Sequence, residues 1–225
     1  MLSVDGSKLN IAHHSNDVDS YIKSSEHARR YNLLHLNPLY NLSNKLYLDT
    51  QIQSVRKQNE TGTLIERVDC STLSDDVILI ADRGYESYHV FAHLEEKGWK
   101  YVIRVKANSR RSIVSTLNES STDGYDESFN LILTRKQTKE IQSNPQIYKF
   151  LSTNARFDYF ELNDRLFYDL SFRVVRFKLT EDTYETLITN LDREEFSPER
   201  LKELYHKRWR IETSFRELKI RDWIS

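Results

Sequence analysis

The sequence predicts an α/β domain: a mixed sheet with flanking helices, interrupted by a β-rich stretch. Three observations predict it. A short, wholly apolar strand pattern, Val77 to Ala81, is joined through one helical pattern to a second strand, Lys100 to Lys106, and such a strand-helix-strand unit pairs in parallel. The segment before it alternates with period two around tight turns, as antiparallel neighbours do. Beyond about residue 119, aromatic and β-branched runs dominate.

The elements follow in order. Leu2 to Val4 runs into the turn Asp5-Gly6, and Lys8 to Ala12 resumes with Leu9 and Ile11 alternating. His13 to Ser25 is polar and reads as a loop. Leu33 to Leu42 and Lys45 to Val55 read as a strand pair about Ser43-Asn44, with Leu46, Leu48, Thr50 and Ile52 on one face. A helix covers Asn59 to Cys70, and a second, Tyr88 to Lys97, stops at Gly98. Phe157 to Leu162 and Leu166 to Leu179 read as strands separated by Asn163-Asp164, a hairpin signal, and Tyr184 to Asn190 as a third. Ser197-Pro198-Glu199 supplies an N-cap, a first-turn proline and an acidic first turn, opening one helix to about Ile220. The predicted organisation is a core over residues 1–118, a β-rich insertion over 119–195, and a core-completing helix over 196–225.

Composition narrows the class. At 225 residues the chain is long enough to bury well over half its unfolded surface. It has 5 Gly and 3 Pro, where average usage would give roughly 16 and 11, which excludes collagen-like and low-complexity classes. The 33 basic and 34 acidic residues nearly cancel, so a polyanionic partner must be held by local patches. The single Cys70 has no partner for an internal disulfide, and its expected role is a small buried side chain. The longest apolar run is too short for a bilayer, and the first residues lack a signal-peptide pattern. A cytoplasmic, reducing compartment without membrane contact is therefore expected.

Three carboxylates carry the chemistry. Asp82 follows the apolar strand at its C-terminal end, where open α/β sheets place ligand chemistry. Asp5 follows a strand in the same way, although each also reads as a turn opener. On the last predicted helix, Glu212 shares an arc with Tyr205, Arg208, Arg216 and Lys219, beside a packed stripe of Leu204, Ile211, Phe215 and Leu218. An ordinary solvated face would look similar. Taken together, hard oxygen ligands of this kind can hold a pair of divalent cations for in-line displacement at phosphorus, while the cations beside them hold phosphates.

These residues resemble a family. Tyr205-x2-Arg208-x3-Glu212-x6-Lys219 matches the Tyr-Arg-Glu-Lys signature of the insertion-sequence-four family of DDE transposases. Ile80-Ala81-Asp82-Arg83-Gly84-Tyr85 looks like that family's second-aspartate segment and Val4-Asp5-Gly6-Ser7 like its first. The resemblance implies a ribonuclease-H-like core with a β-rich insertion, and Asp5, Asp82 and Glu212 as a catalytic triad holding two Mg²⁺ or Mn²⁺ ions. It implies that Tyr205, Arg208 and Lys219 contact phosphates near the cleaved DNA end; Arg216, on the same arc, is a further candidate DNA contact. It also implies cut-and-paste cleavage and strand transfer at transposon ends, with target DNA as second partner, in a homodimeric DNA complex at a prokaryotic nucleoid. Two departures stand out. The family's base-stacking Trp is missing from the insertion, since Trp99, Trp209 and Trp223 all lie outside it, leaving Tyr159, Phe160 or Phe167 for that role. Only four residues precede Asp5, which suggests a catalytic-domain fragment or truncated frame. The alternative is a non-catalytic or domesticated DNA-binding remnant.

Smaller signals remain. Lys100, Arg104, Lys106, Arg110 and Arg111 form an acid-free patch; Lys106, Arg110 and Arg111 are its candidate DNA contacts. His89 and His93 have the i, i+4 spacing of a zinc pair, but Val90-Phe91-Ala92 favours a packed helix and the sequence displays no third ligand. Asp49 reads as an exposed strand position.

Overall fold

The computed structural model describes the chain apart from residues 24, 26–29, 74–75, 107–111, 118–123, 161–165 and 222–225. Its first two strands, β1 (Leu2–Val4) and β2 (Ser7–Ile11), are in effect one strand broken at Asp5-Gly6. Both lie antiparallel to the same long strand, Tyr31–Asn41, with Val4 opposite Leu39 and Ser7 opposite Leu36, so the register passes through the break unchanged. A two-residue strand, β3 (Tyr21–Ile22), precedes that long strand, β4, and β5 (Leu46–Ser54) returns beside it. Helix α1 (Glu60–Cys70) starts at Asn59, whose side chain accepts from the Gly62 N–H. It leads to β6 (Ile78–Ala81), and α2 (Tyr88–Glu96) then starts at a Ser87 cap. Gly98, with a left-handed φ of 76°, turns the chain from α2 into β7 (Lys100–Val105). The remainder runs β8 (Tyr125–Thr134), α3 (Lys139–Ser143), β9 (Tyr148–Phe150), β10 (Phe167–Thr180), β11 (Thr183–Thr189), α4 (Pro198–His206) and α5 (Trp209–Arg221).

Among the described residues the strands make one sheet in the order β2-β4-β1-β6-β7-β11-β10-β8-β9, with β3 and β5 also paired to β4. Neighbours β1, β6 and β7 are parallel, and β4 and β11 flank them antiparallel, giving the mixed sheet the sequence predicts. The β-rich stretch joins this sheet directly, because β11 sets Ile188 against Ile103 on β7. One face carries Leu2, Val4, Leu79, Ala81 and Ile103 against Leu64, Val68, Phe91 and Leu94 of α1 and α2. The other carries Leu36, Ile80, Val102 and Leu187 against Leu201, Leu204, Ile211 and Phe215 of α4 and α5. Since side chains alternate between faces, residues 82, 104 and 185 fall on the α4 and α5 side.

Several expectations need correction. The last helix is two helices, because the Lys207 and Arg208 N–H groups turn back to Leu204 O and Tyr205 O and close a tight turn. That turn brings Arg208 inside, at 2% exposure, instead of presenting it beside a packed stripe, and Leu218 lies outside the packed stripe at 37%. The predicted strand from Phe157 is a short 3-10 turn, Asp158–Phe160, whose aromatic neighbours Phe157 and Tyr168 pack ring to ring at 5.2 Å. The Asn163-Asp164 hairpin signal lies outside the described residues. Strand β8 lacks a strict alternation and went unpredicted, as did α3 and β9. Cys70 is exposed at the end of α1, not buried. The apolar residues of β5 do share a face, and that face is exposed.

Gly6 is fixed by close approach. A Cβ there would overlap Glu60 Oε1 and lie 2.5 Å from His35 Cε1, whereas a Cβ at Gly84 meets nothing nearer than 3.5 Å. Gly6→Ala is therefore expected to cost about 1–3 kcal/mol in a denaturant melt, with Gly84→Ala near neutral. Equal midpoints for the two variants would contradict this.

Candidate active site

The C-terminal ends of β1 and β6 lie side by side, because the two strands are parallel with Val4 opposite Ala81. Asp5 and Asp82 are the next residue on each. Ile103 of β7 is the partner of Ala81, so Arg104 follows beside Asp82. Its guanidinium donates to both carboxylate oxygens, Nε to Oδ1 at 2.7 Å and Nη2 to Oδ2 at 2.9 Å. On its far side, Arg104 Nη1 stands 3.6 Å from Glu185 Oε1 of β11.

The helices close the group from above. The Tyr205 hydroxyl on α4 donates to Asp82 Oδ1 at 3.4 Å and accepts from Arg208 Nε at 3.0 Å. Arg208 Nη1 lies 2.7 Å from Glu212 Oε1 and 3.4 Å from Asp5 Oδ2, so one nitrogen joins two carboxylates. The result is a chain of alternating charge from Glu185 through Arg104, Asp82, Tyr205 and Arg208 to Asp5 and Glu212. Near the far end of α5, Lys219 Nζ donates to Ser7 Oγ at 2.9 Å, which ties that helix to the start of β2.

The two aspartates are shifted in opposite directions. Burial raises the pKa of Asp5 to about 6; the Gly6 N–H and Arg208 oppose this, while Glu212 and Asp82 add to it. Burial also acts on Asp82, but the Arg83 N–H and the Arg104 guanidinium outweigh it and hold its pKa below the usual carboxylate value. A cleft of about 460 Å³ opens beside them, lined in part by Asp5, Glu60, Asp82, Glu86, Lys106 and Ser112.

Sequence reasoning named Asp5, Asp82 and Glu212, and the fold brings them together. Tyr205 and Arg208 join them, but buried, with their polar atoms turned to the carboxylates. Arg216 and Lys219 are exposed on α5, and Lys106 lines the cleft. Arg110 and Arg111 lie outside the described residues. Two residues went unrecognised as parts of the site. Arg104 was grouped with the surface patch, although its strand register places it at Asp82. Glu60 opens α1, pairs with His35 Nε2 at 3.0 Å and lines the cleft with Asp5, Asp82 and Glu86; no local pattern marks it. The donors are all oxygen and partly buried, and burial, with smaller contributions from Glu212 and Asp82, raises Asp5, so the set fits a hard divalent cation.

The sequence profile of the transposase DDE domain matches residues 1–223. The chain belongs to that family. Among solved structures it is similar to a piggyBac transposase synaptic complex with hairpin DNA, with a TM-score of 0.53 over 94% of this chain and 10% identity, a likeness of fold. The DDE domain described here spans 38% of that transposase chain. No curated protein sequence matches it. In the shared fold, the order β5-β4-β1-β6-β7 is the ribonuclease-H-like arrangement, with Asp5 and Asp82 at the tips of its two central parallel strands. Trp209 stands 53% exposed at the start of α5, beside the Arg208 guanidinium, while Tyr159 and Phe160 pack inward and Phe167 is 43% exposed. None of the described helices is long and apolar enough to cross a membrane.

Proposed function

We propose that this DDE domain cuts and rejoins DNA strands as an insertion-sequence-four-type transposase, with Asp5, Asp82 and Glu212 as the catalytic, cation-holding triad. The observation that carries this reading is the network joining Tyr205, Arg208 and Glu212 to Asp5 and Asp82 across the sheet face, which gathers charged and polar groups 123 and 203 residues apart in sequence at one point. The oxygen set suits two Mg²⁺ or Mn²⁺ ions, which when bound supply an activated water or 3′-hydroxyl and neutralise charge at the phosphate. The chain's own residues do the rest. Arg208 holds Asp5 and Glu212 in reach of one another, and Tyr205 and Arg104 fix the orientation of Asp82. Arg216, Lys219 and Lys106 supply exposed cations for the DNA backbone, and Arg110 and Arg111 extend that patch in sequence. Transposon ends and target DNA are the partners, in a homodimeric complex at a prokaryotic nucleoid. Residues 119–195 act as the insertion of the core, docked on its β7 edge, with Phe167 available for base stacking.

The test is a nicking and strand-transfer assay in Mg²⁺ and Mn²⁺. Glu212→Gln is expected to reduce cleavage to background while DNA affinity stays equal or rises slightly. Lys219→Ala should weaken DNA binding and lower the slope of log K against log salt by about 1. Full cleavage by Glu212→Gln would overturn the assignment, and DNA binding without cleavage by the parent chain would favour the remnant reading.

A further inference from the structure

On the opposite face of the sheet from the carboxylate triad, the histidines that sequence reasoning set aside for want of a third ligand acquire one. His89 and His93 sit one turn apart on α2, both buried. The 3-10 turn that opens with Asp158, from the β-rich stretch, places a carboxylate between them. His89 Nε2 and His93 Nε2 are 3.0 Å apart, and Asp158 Oδ2 lies 3.2 Å from the first and 3.4 Å from the second. Ligand atoms bonded to Zn²⁺ at about 2.0–2.1 Å in a tetrahedron are about 3.3 Å from one another. The triangle has that size.

Proton accounting leads to the same place. His93 Nδ1 is 2.8 Å from Asp69 Oδ1 at the end of α1, and an ionised carboxylate only accepts, so Nδ1 carries the hydrogen. The Nε2 of a neutral His93 is then a lone pair, facing the lone pairs of Asp158 Oδ2 and the Nε2 of His89. With both imidazoles neutral, as metal ligands must be, at most one hydrogen, on His89 Nε2, is available for three electron-rich atoms converging on one point. A cation at that point satisfies all three. The carboxylate behind His93 is also the usual outer support of a metal-bound imidazole. Arg156 Nε, 3.3 Å from Asp158 Oδ1, leaves Oδ2 as the inward oxygen. Phe157 and Tyr159 wall the group, with ring centroids 6.2 Å from His89 and 4.9 Å from His93.

We propose that His89, His93 and Asp158 form a zinc site, separate from the triad, that clips the Phe157–Phe160 segment of the β-rich stretch onto α2 of the core. Two imidazoles and one carboxylate suit Zn²⁺ far better than the hard Mg²⁺ that an all-oxygen site prefers, so the two centres divide the cations by ligand chemistry. Three protein ligands leave the fourth position to water.

The test uses the whole chain, free of any histidine tag, stripped with chelator and titrated with Zn²⁺ and with Co²⁺ as a visible probe. One equivalent of Zn²⁺ retained through gel filtration, the absorption bands of tetrahedral Co²⁺ and a rise in Tm are expected. Millimolar Mg²⁺ should displace neither. Asp158→Asn should lose both signals, and Asp69→Asn should weaken Zn²⁺ binding about ten- to a hundredfold. Cys70→Ser and Glu212→Gln should bind as the parent does. If a histidine variant fails to fold, Asp158→Asn and the Co²⁺ spectrum of the parent still decide the matter. Zn²⁺ retention no higher in the parent than in folded Asp158→Asn, or its loss in Cys70→Ser, would overturn the proposal.

Discussion

Asp5→Asn is expected to abolish strand cleavage and, in the metal-free chain, to raise thermal stability above pH 6. The two effects share a cause. Burial lifts the pKa of Asp5 to about 6 from its ordinary value of 3.8, so the folded state holds this proton more tightly than the unfolded one. Below pH 4 both states are protonated and the site costs nothing. As pH rises to 6 the unfolded chain ionises first, and above 6 the folded chain carries a buried anion that opposes folding by on the order of 2–3 kcal/mol. Asparagine carries no such charge and keeps an acceptor for the Gly6 N–H that Asp5 Oδ1 holds at 2.8 Å. Melts at pH 4 should therefore match, and at pH 8 the variant should melt about 5–10 °C higher. Saturating Mg²⁺ should close the gap by stabilising the parent alone. A variant no more stable than the parent at pH 8 would count against the strained carboxylate.

The second large effect lies away from the chemistry. Arg173 of β10 is 4% exposed, and its Nε and Nη2 each donate to Asp126 at 2.6 Å. Its Nη1 donates to Phe196 O at 2.8 Å and reaches Asp192 O at 3.4 Å, so one guanidinium ties β8 and β10 to the turn that feeds α4. Arg173→Ala leaves Asp126 to the exposed Arg193, 3.1 Å from its Oδ1, and frees those carbonyls, at a cost of about 3 kcal/mol, the low end for breaking a buried pair. That corresponds to a fall in Tm of about 10 °C for a chain of this size. Arg173→Lys should recover only part of the loss, because an ammonium cannot match the fork to Asp126. A shift below a few degrees for the alanine variant would show that the turn is held by other means.

Much of this molecule was legible in the sequence, for reasons of range. Helices α1 and α2 were legible, the second by its stop at Gly98, and the caps at Asn59 and Ser87 are what the structure adds. The strands β6 and β7 were marked by apolar runs, and Asp82 by its place after one of them. Tyr205, Arg208, Glu212 and Lys219 were found by spacing, yet spacing could not say that Arg208 faces inward, because the turn at Lys207 is closed by backbone groups that any residue possesses. Arg104 and Glu60 owe their places to strand register and to the entry of α1, both set by distant pairings. Asp158 is the clearest case: nothing near it in sequence points to His89 and His93, and only folding shows the three together.

The order in which the sheet is assembled has a consequence in time. Asp5 and Asp82 stand on neighbouring strands near the beginning, whereas Tyr205 and Glu212 come after the β-rich stretch. A ribosome adding about 5–20 residues per second takes about 10–40 s to pass from Asp5 to Glu212. For the last 130 residues of that passage the nascent chain holds two of the three proposed acids and not the third, and until β11 is made the β7 edge waits for it. On the proposed triad, the carboxylate set is therefore completed late, when synthesis has passed α5 and that helix has seated Glu212 beside Arg208. A half-made chain lacks one of the three proposed ligands.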